Sequence, residues 1–143
     1  LLLTSGPPSS PLFSSTAHPN TLNDSPNMDA PAQNVDTVGW GVIGCGWVAR
    51  DFGIPAIQNA SNSRLVGLCD RDGDALAATL PYTSVPCRTQ RTGELLRRDD
   101  LDAVYVATPN ESHAELVSAC AKAGKHVLCE KPMARTTPEA ESW

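Results

Sequence analysis

Short apolar runs alternate with amphipathic stretches from Asp36 to the end of the 143-residue chain. That alternation predicts an α/β fold, a doubly wound parallel sheet with helices on both faces. A glycine turn, Gly44-Cys45-Gly46, standing directly after the first apolar run, points to the same class. The remaining runs are apolar and short, as strands buried on both faces are.

The elements follow in order. Residues 38–43 read as a first strand ending at Gly44. A helix is expected over 46–59, bent or interrupted near Gly53 and Pro55, because proline lacks an amide donor and crowds the preceding turn. Residues 64–69 form a second strand, with Leu65, Val66 and Leu68 supplying both faces. A short helix over 74–80 stops at Pro81, residues 84–87 read as a third strand, and 92–98 as a helix that turns Leu95 and Leu96 to the sheet. Residues 103–107 are the fourth strand. The helix over 111–123 carries Ala114, Leu116, Val117 and Cys120 at helical spacing and stops at Gly124. Residues 126–129 are the fifth strand. Thr136-Thr137-Pro138-Glu139 has the pattern of a capping box opening another helix, which the chain leaves short.

Residues 1–35 differ in kind. They contain no Lys or Arg and are dense in Pro, Ser, Thr and Asn, too polar to offset the entropy of ordering, so a disordered segment is expected there and a single domain over 36–143. Leu1-Leu2-Leu3 lacks a basic flank and is broken at Gly6-Pro7-Pro8, which argues against a signal peptide; the missing arginines argue against a transit peptide. Met28 stands just ahead of the ordered part, and translation is expected to begin there, leaving 1–27 as upstream sequence.

The net charge of −5 gives no reason to expect a nucleic-acid partner. No apolar run approaches the roughly 18 residues of a membrane span. Cys45, Cys69, Cys87, Cys120 and Cys129 form no Cys-x-x-Cys pair, so they read as buried thiols of a reducing, cytoplasmic compartment, with no metal site expected.

Gly44-Cys45-Gly46-Trp47-Val48-Ala49 fits G-x-G-x-x-A between a strand and a helix, the fingerprint of a Rossmann-type dinucleotide site. Gly44 permits the tight turn and Gly46 lets the backbone approach a pyrophosphate, while Ala49 lets the helix pack closely on the sheet. Free amides of the helix's first turn and its dipole then hold the phosphates. Asp70 ends the second strand, 21 residues beyond Ala49, where a carboxylate accepts from the adenosine ribose hydroxyls. A 2′-phosphate there meets like charge, which favours NAD over NADP; Arg71 beside it tempers the argument, since a guanidinium pairs with phosphate. With strand order 3-2-1-4-5, the crevice lies between the first and fourth strands, so Thr108-Pro109-Asn110 is expected next to the glycine turn. Asn110 serves as helix cap, cofactor contact or both, and His113 lies near the same crevice or at the surface.

Glu130-Lys131-Pro132 at the end of the fifth strand gives the pattern a name. Together with Gly44-Cys45-Gly46, Cys69-Asp70-Arg71-Asp72, Ala107-Thr108-Pro109-Asn110 with His113, and Phe52 through Ile57, it resembles the glucose–fructose oxidoreductase / inositol dehydrogenase family (Gfo/Idh/MocA) over about 38–143. The resemblance implies roles. Gly44, Cys45, Gly46 and Trp47 correspond to the pyrophosphate turn, Asp70 and Arg71 to the adenosine side, and Thr108, Pro109, Asn110 and His113 to the cofactor's middle. Glu130 and Lys131 fall beside the nicotinamide ribose, with Lys131 the catalytic lysine and Pro132 fixing its turn.

Carbinol oxidation independently asks for such a group, because a proton must leave the hydroxyl as hydride leaves carbon. An unperturbed lysine titrates near 10.4, so burial or nearby cationic charge, such as an oxidised nicotinamide, is needed for it to accept a proton at neutral pH. The resemblance implies an oxidoreductase of sugars, cyclitols or related polyols. It also implies a second, substrate-binding domain for which this chain has no residues, so cofactor binding without turnover is expected of the chain alone. A homo-oligomeric state of the full-length protein is left open. The alternative is a non-catalytic nucleotide sensor, against which Glu130-Lys131-Pro132 counts.

Overall fold

The computed structural model describes residues 2–4 and 36–141. Its elements are β1 (Leu2–Thr4), β2 (Val38–Ile43), a π-turn (Ala49–Gly53) running into α1 (Ile54–Asn59), β3 (Ser63–Cys69), α2 (Gly73–Ala77), β4 (Cys87–Thr89), α3 (Thr92–Leu96), β5 (Ala103–Val106), a 3-10 turn (Asn110–Ser112) leading into α4 (His113–Lys122), β6 (His126–Cys129) and α5 (Thr137–Glu141). The sheet order is β1-β6-β5-β2-β3-β4. Strands β2 to β6 are parallel, and their order is the doubly wound one expected from the sequence.

Alternation along the strands, reset in β3 by the register shift opposite Trp40–Gly41, sends side chains to two separate cores. Ile43, Val66, Val104 and Val106 join Leu95 of α3 and Val117 and Cys120 of α4 on one face. Val42, Leu65, Leu68 and Tyr105 join Ile54 and Ile57 of α1 and Leu76 of α2 on the other. Both faces are apolar because both are covered, which is why these strands read as continuous runs.

Several local expectations are corrected. Leu2–Thr4 fall in the segment expected to lack structure, yet they pair antiparallel with β6, Leu2 opposite Cys129; the expectations for residue 1 and for 5–35 lie outside the described residues. The third strand is Cys87–Thr89, not 84–87, since Pro86 has no amide to give the ladder, which starts at Cys87 opposite Gly67. The helix over 46–59 is interrupted where expected, through a π-turn: the Ile54 amide donates to Ala49 O, five residues back, ahead of the donorless Pro55. Gly124, at φ +72°, ends α4, with the Lys125 amide bonded to Cys120 O. At the start of α5 the Glu139 amide donates to Thr136 Oγ1 (3.4 Å), as a capping box requires, and the Glu139 carboxylate accepts from the Arg135 amide (2.8 Å).

Helix α3 lies unusually close to the sheet. Fully buried Leu95 rests on Gly41 and Gly67, which are paired across β2 and β3. A Cβ at Gly67 meets Leu95 Cδ1 at 2.4 Å. Leu95→Ala is therefore expected to cost about 2–5 kcal/mol, and Gly67→Ala about 1–3 kcal/mol through overpacking. In the Leu95→Ala background Gly67→Ala should cost less, because its methyl enters the cavity. Urea melts of the two single variants and the double variant check this, and strict additivity refutes the contact.

Candidate cofactor-binding site

The site grows from the carboxyl ends of β2, β3 and β5. Gly44 follows β2 at φ +93°, a conformation that L side chains rarely adopt. A Cβ there lies 2.7 Å from Ala107 C and O, so the turn sits backbone to backbone on the end of β5. Main-chain bonds fix it from both neighbours: the Gly44 amide donates to Cys69 O and the Ala107 amide to Ile43 O, each at 2.8 Å.

Asp70, just past β3, ties the turn down. Its Oδ2 accepts the Cys45 amide at 2.7 Å and its Oδ1 the Asp72 amide at 2.9 Å. Asp72 in turn caps α2 through the Asp74 amide. The result is a cleft of about 430 Å³ whose lining includes Gly44, Gly46, Asp70, Arg71, Thr108 and Pro109. A Cβ at Gly46 has no neighbour within 4 Å, so the turn faces open cleft at this point. The shape and donor set fit a dinucleotide: a bare backbone turn for phosphate, and a carboxylate one strand away for a ribose.

Six of the residues expected from the sequence thus share the cleft, and the others are elsewhere. Cys45 is fully buried in the α1-side core, its amide is already given to Asp70, and burial, with Asp70 nearby, pushes its thiol up to about 12. It shapes the turn from behind. Trp47 is 62% exposed and packs edge-on against Phe52, outside the cleft lining. Asn110 makes no side-chain cap at either helical start; Ser112 Oγ instead bonds Pro109 O and Thr108 Oγ1, both at 2.8 Å.

His113 is fully buried rather than lining the cleft or the surface. Its Nε2 lies 2.9 Å from Thr108 O and its Nδ1 2.8 Å from Pro132 O, so one ring joins the loop after β5 to the turn after β6. Lys131 and Pro132, joined by a cis peptide bond, are exposed on that turn. Glu130 lies on a neighbouring apolar groove with Phe52 and Tyr105, accepts the Tyr105 hydroxyl at 2.5 Å through Oε1 and the Lys131 amide at 3.3 Å through Oε2.

Cleft residues that the sequence reading did not single out as site residues include Asp72, Thr92, Ser112 and Glu115. Asp72 had a usable signal, an N-cap aspartate ahead of Gly73-Asp74; Thr92 and Glu115 had none, being polar residues on helices assigned to packing. Among the described residues no group of three or more His, Cys, Asp or Glu side chains could hold a metal ion, and no helix is long and apolar enough to cross a membrane.

A Rossmann-type sheet with its glycine turn, acidic strand end and crevice at the switch in strand order defines a dinucleotide-binding domain. Residues 38–143 match the family model for the Gfo/Idh/MocA oxidoreductase family, NAD-binding Rossmann fold, and the chain belongs to that family. It is 40% identical over 101 residues to 1,5-anhydro-D-fructose reductase of Ensifer adhaerens, covering 71% of this chain and 30% of the reductase. To inositol 2-dehydrogenase 2 of Saccharopolyspora erythraea it is 39% identical over 105 residues, covering 73% of this chain and 30% of that enzyme. The crystal structure of KijD10, a 3-ketoreductase from Actinomadura kijaniata, in complex with NADP superposes with a TM-score of 0.66 at 36% identity, covering 74% of this chain and 33% of that one. The chain thus spans about a third of the length of such relatives.

The burial of the thiols has a chemical consequence. Cys45 and Cys120 are pushed up to about 12 and Cys129 to about 11, each chiefly by burial. Thiolate is the reactive form, so alkylation of the native chain at about pH 8 should leave these three unmodified while half-buried Cys87 reacts first. Peptide mass spectrometry checks the order, and early labelling of Cys45 refutes the packing described.

Proposed function

We propose that the chain is the cofactor-binding part of an NAD(P)-dependent oxidoreductase that acts on the carbinol or carbonyl group of a sugar, cyclitol or related polyol. The observation that carries the reading is the crevice bounded by the Gly44 turn and the Thr108-Pro109 loop, with His113 linking that loop to the turn that bears Lys131. The relatives' substrates support the polyol class: an anhydro-fructose for one, an inositol for another.

The nicotinamide, when bound, supplies hydride exchange with the substrate carbon. The chain's own part is positional. The Gly44–Gly46 backbone receives the pyrophosphate, Asp70 and Arg71 face the adenosine end, and Thr108 and Pro109 line the middle. Lys131 orients the substrate hydroxyl and takes its proton as the C–H bond gives up hydride, or returns it in the reverse direction. The chain spans about a third of the length of its relatives, and this reading assigns the substrate pocket to another part of the working enzyme.

NAD is the preferred cofactor in this reading, because the Asp70 carboxylate is pinned at the cleft by two amides and meets a 2′-phosphate with like charge. Arg71 also lines the cleft, and KijD10 holds NADP, so the preference is the part most open to test. Calorimetric titration of the chain should give tighter binding of NAD than of NADP; equal or tighter NADP binding overturns the argument from Asp70. In the complete oxidoreductase, Lys131→Met should lower kcat at least about a hundredfold, the order expected for loss of an acid–base group, and leave NAD affinity within about twofold. Retained turnover refutes the assignment of Lys131.

A further inference from the structure

The side chain that reaches Glu130 from the core is Tyr105, a residue for which the cofactor cleft has no use. Its backbone is central in the sheet, opposite Val42 of β2 and Leu128 of β6. Its ring is 5% exposed and lies on the α1 face. Room for it exists because residue 53 has no side chain: a Cβ at Gly53 meets Tyr105 Cε1 at 2.3 Å and Cδ1 at 2.9 Å. Gly53 closes the π-turn, so the helix that starts at the glycine turn is shaped around this ring.

A phenylalanine fills such a space as well as a tyrosine does. The hydroxyl adds the cost of taking a polar group out of water, which only a hydrogen bond offsets. That bond goes to Glu130 Oε1 at 2.5 Å. Burial first, and the Glu130 carboxylate next, push the phenol above its ordinary range, which keeps it a donor. The same carboxylate accepts the Lys131 amide through its other oxygen. On the other side of Lys131, the Pro132 carbonyl is held by buried His113. Each neighbour of Lys131 is therefore tied to a buried ring, one on each face of the sheet.

We infer that Tyr105 is a positioning residue for Lys131, acting through the Glu130 carboxylate. The inference rests on the proposed role of Lys131 in proton transfer. A hydroxyl donated from the rigid centre of the sheet fixes Glu130, and Glu130 fixes the backbone from which the lysine side chain springs.

Tyr105→Phe removes one oxygen and keeps the ring, so the core is retained. In the complete oxidoreductase it should lower kcat by about tenfold to a hundredfold, the scale of a small misplacement of a reacting group. KM for the polyol, the Kd for NAD and the melting temperature should stay near their original values. In the chain alone, the Lys131 amide should exchange with solvent at least about fivefold faster, while the Val104 and Val106 amides are unchanged. Gly53→Ala, which pushes the ring, should reproduce the loss of kcat without touching any residue of the cleft lining. Unchanged kcat and unchanged exchange at Lys131 overturn the inference while Lys131→Met still tests the lysine itself. A parallel fall of kcat, NAD affinity and melting temperature in Tyr105→Phe also overturns it, because that pattern marks a residue that only supports the fold. If Lys131→Met retains turnover, the reading on which the inference rests fails first, and the two failures are told apart.

Discussion

The site depends on one close approach, that of the Gly44 backbone to Ala107 and Thr108. A side chain at residue 44 would place its Cβ 2.7 Å from the Ala107 carbonyl, so the ends of β2 and β5 meet only because nothing stands between them. The turn's φ of +93° directs the chain from the sheet plane into the helix behind it, and the bonds to Cys69 and from Ala107 hold it level with both neighbouring strands. Without that contact the strand ends would splay, and the cleft between the glycine turn and the Thr108 loop would have no common floor.

From this contact outward the site is assembled mainly by side chains that bind backbone. Asp70 takes two amides, His113 meets two carbonyls, and Glu130 takes the amide of the residue that follows it. Each such bond fixes main chain in loops that lack the repeating ladder of a helix or strand. The loops can then be rigid without being buried, which a cleft open to a ligand requires. Tyr105 and His113 extend the same logic into the core, since each is a buried ring whose polar atoms reach toward the Glu130–Pro132 turn.

The sheet and the glycine-turn part of the cleft are legible because their causes are local. Buried parallel strands must be apolar on both faces, a tight turn with positive φ selects glycine, and a strand-end aspartate stands at a fixed distance from that turn. His113 was misread for the opposite reason: topology places it near the crevice, but whether its ring faces the cleft or the core is decided by Pro132, 19 residues away. Tyr105 was invisible because Ala103–Val106 reads as one apolar strand, and only the absence of a Cβ at Gly53 reveals the space its ring takes. Cys45 sits inside the fingerprint, but its thiol is buried and its amide bonds Asp70, a pairing 25 residues apart that the fingerprint alone does not reveal. The third strand slipped by three residues because the apolar pattern around Val85 is real, as Val85 does pack on the α1-side core, while the ladder waits for the first amide after Pro86.

The arrangement separates two decisions that a dinucleotide enzyme must make. Asp70 and Arg71 stand at the end of β3, and Lys131 stands after β6, with β2 and β5 between them in the sheet. The adenosine end is organised by Asp70 and by the Asp72 cap of α2; the lysine end is organised by Tyr105, Glu130 and His113. None of the hydrogen bonds described joins one group to the other. What they share is the Gly44 approach to Ala107, which is backbone and indifferent to side-chain identity at either end. A substitution that alters which cofactor is held can therefore leave the lysine's geometry untouched, and loosening the lysine turn can leave the cofactor's affinity intact. Such independence follows from the strand order, because the contact that joins the two ends, Gly44 on Ala107, is made of main chain.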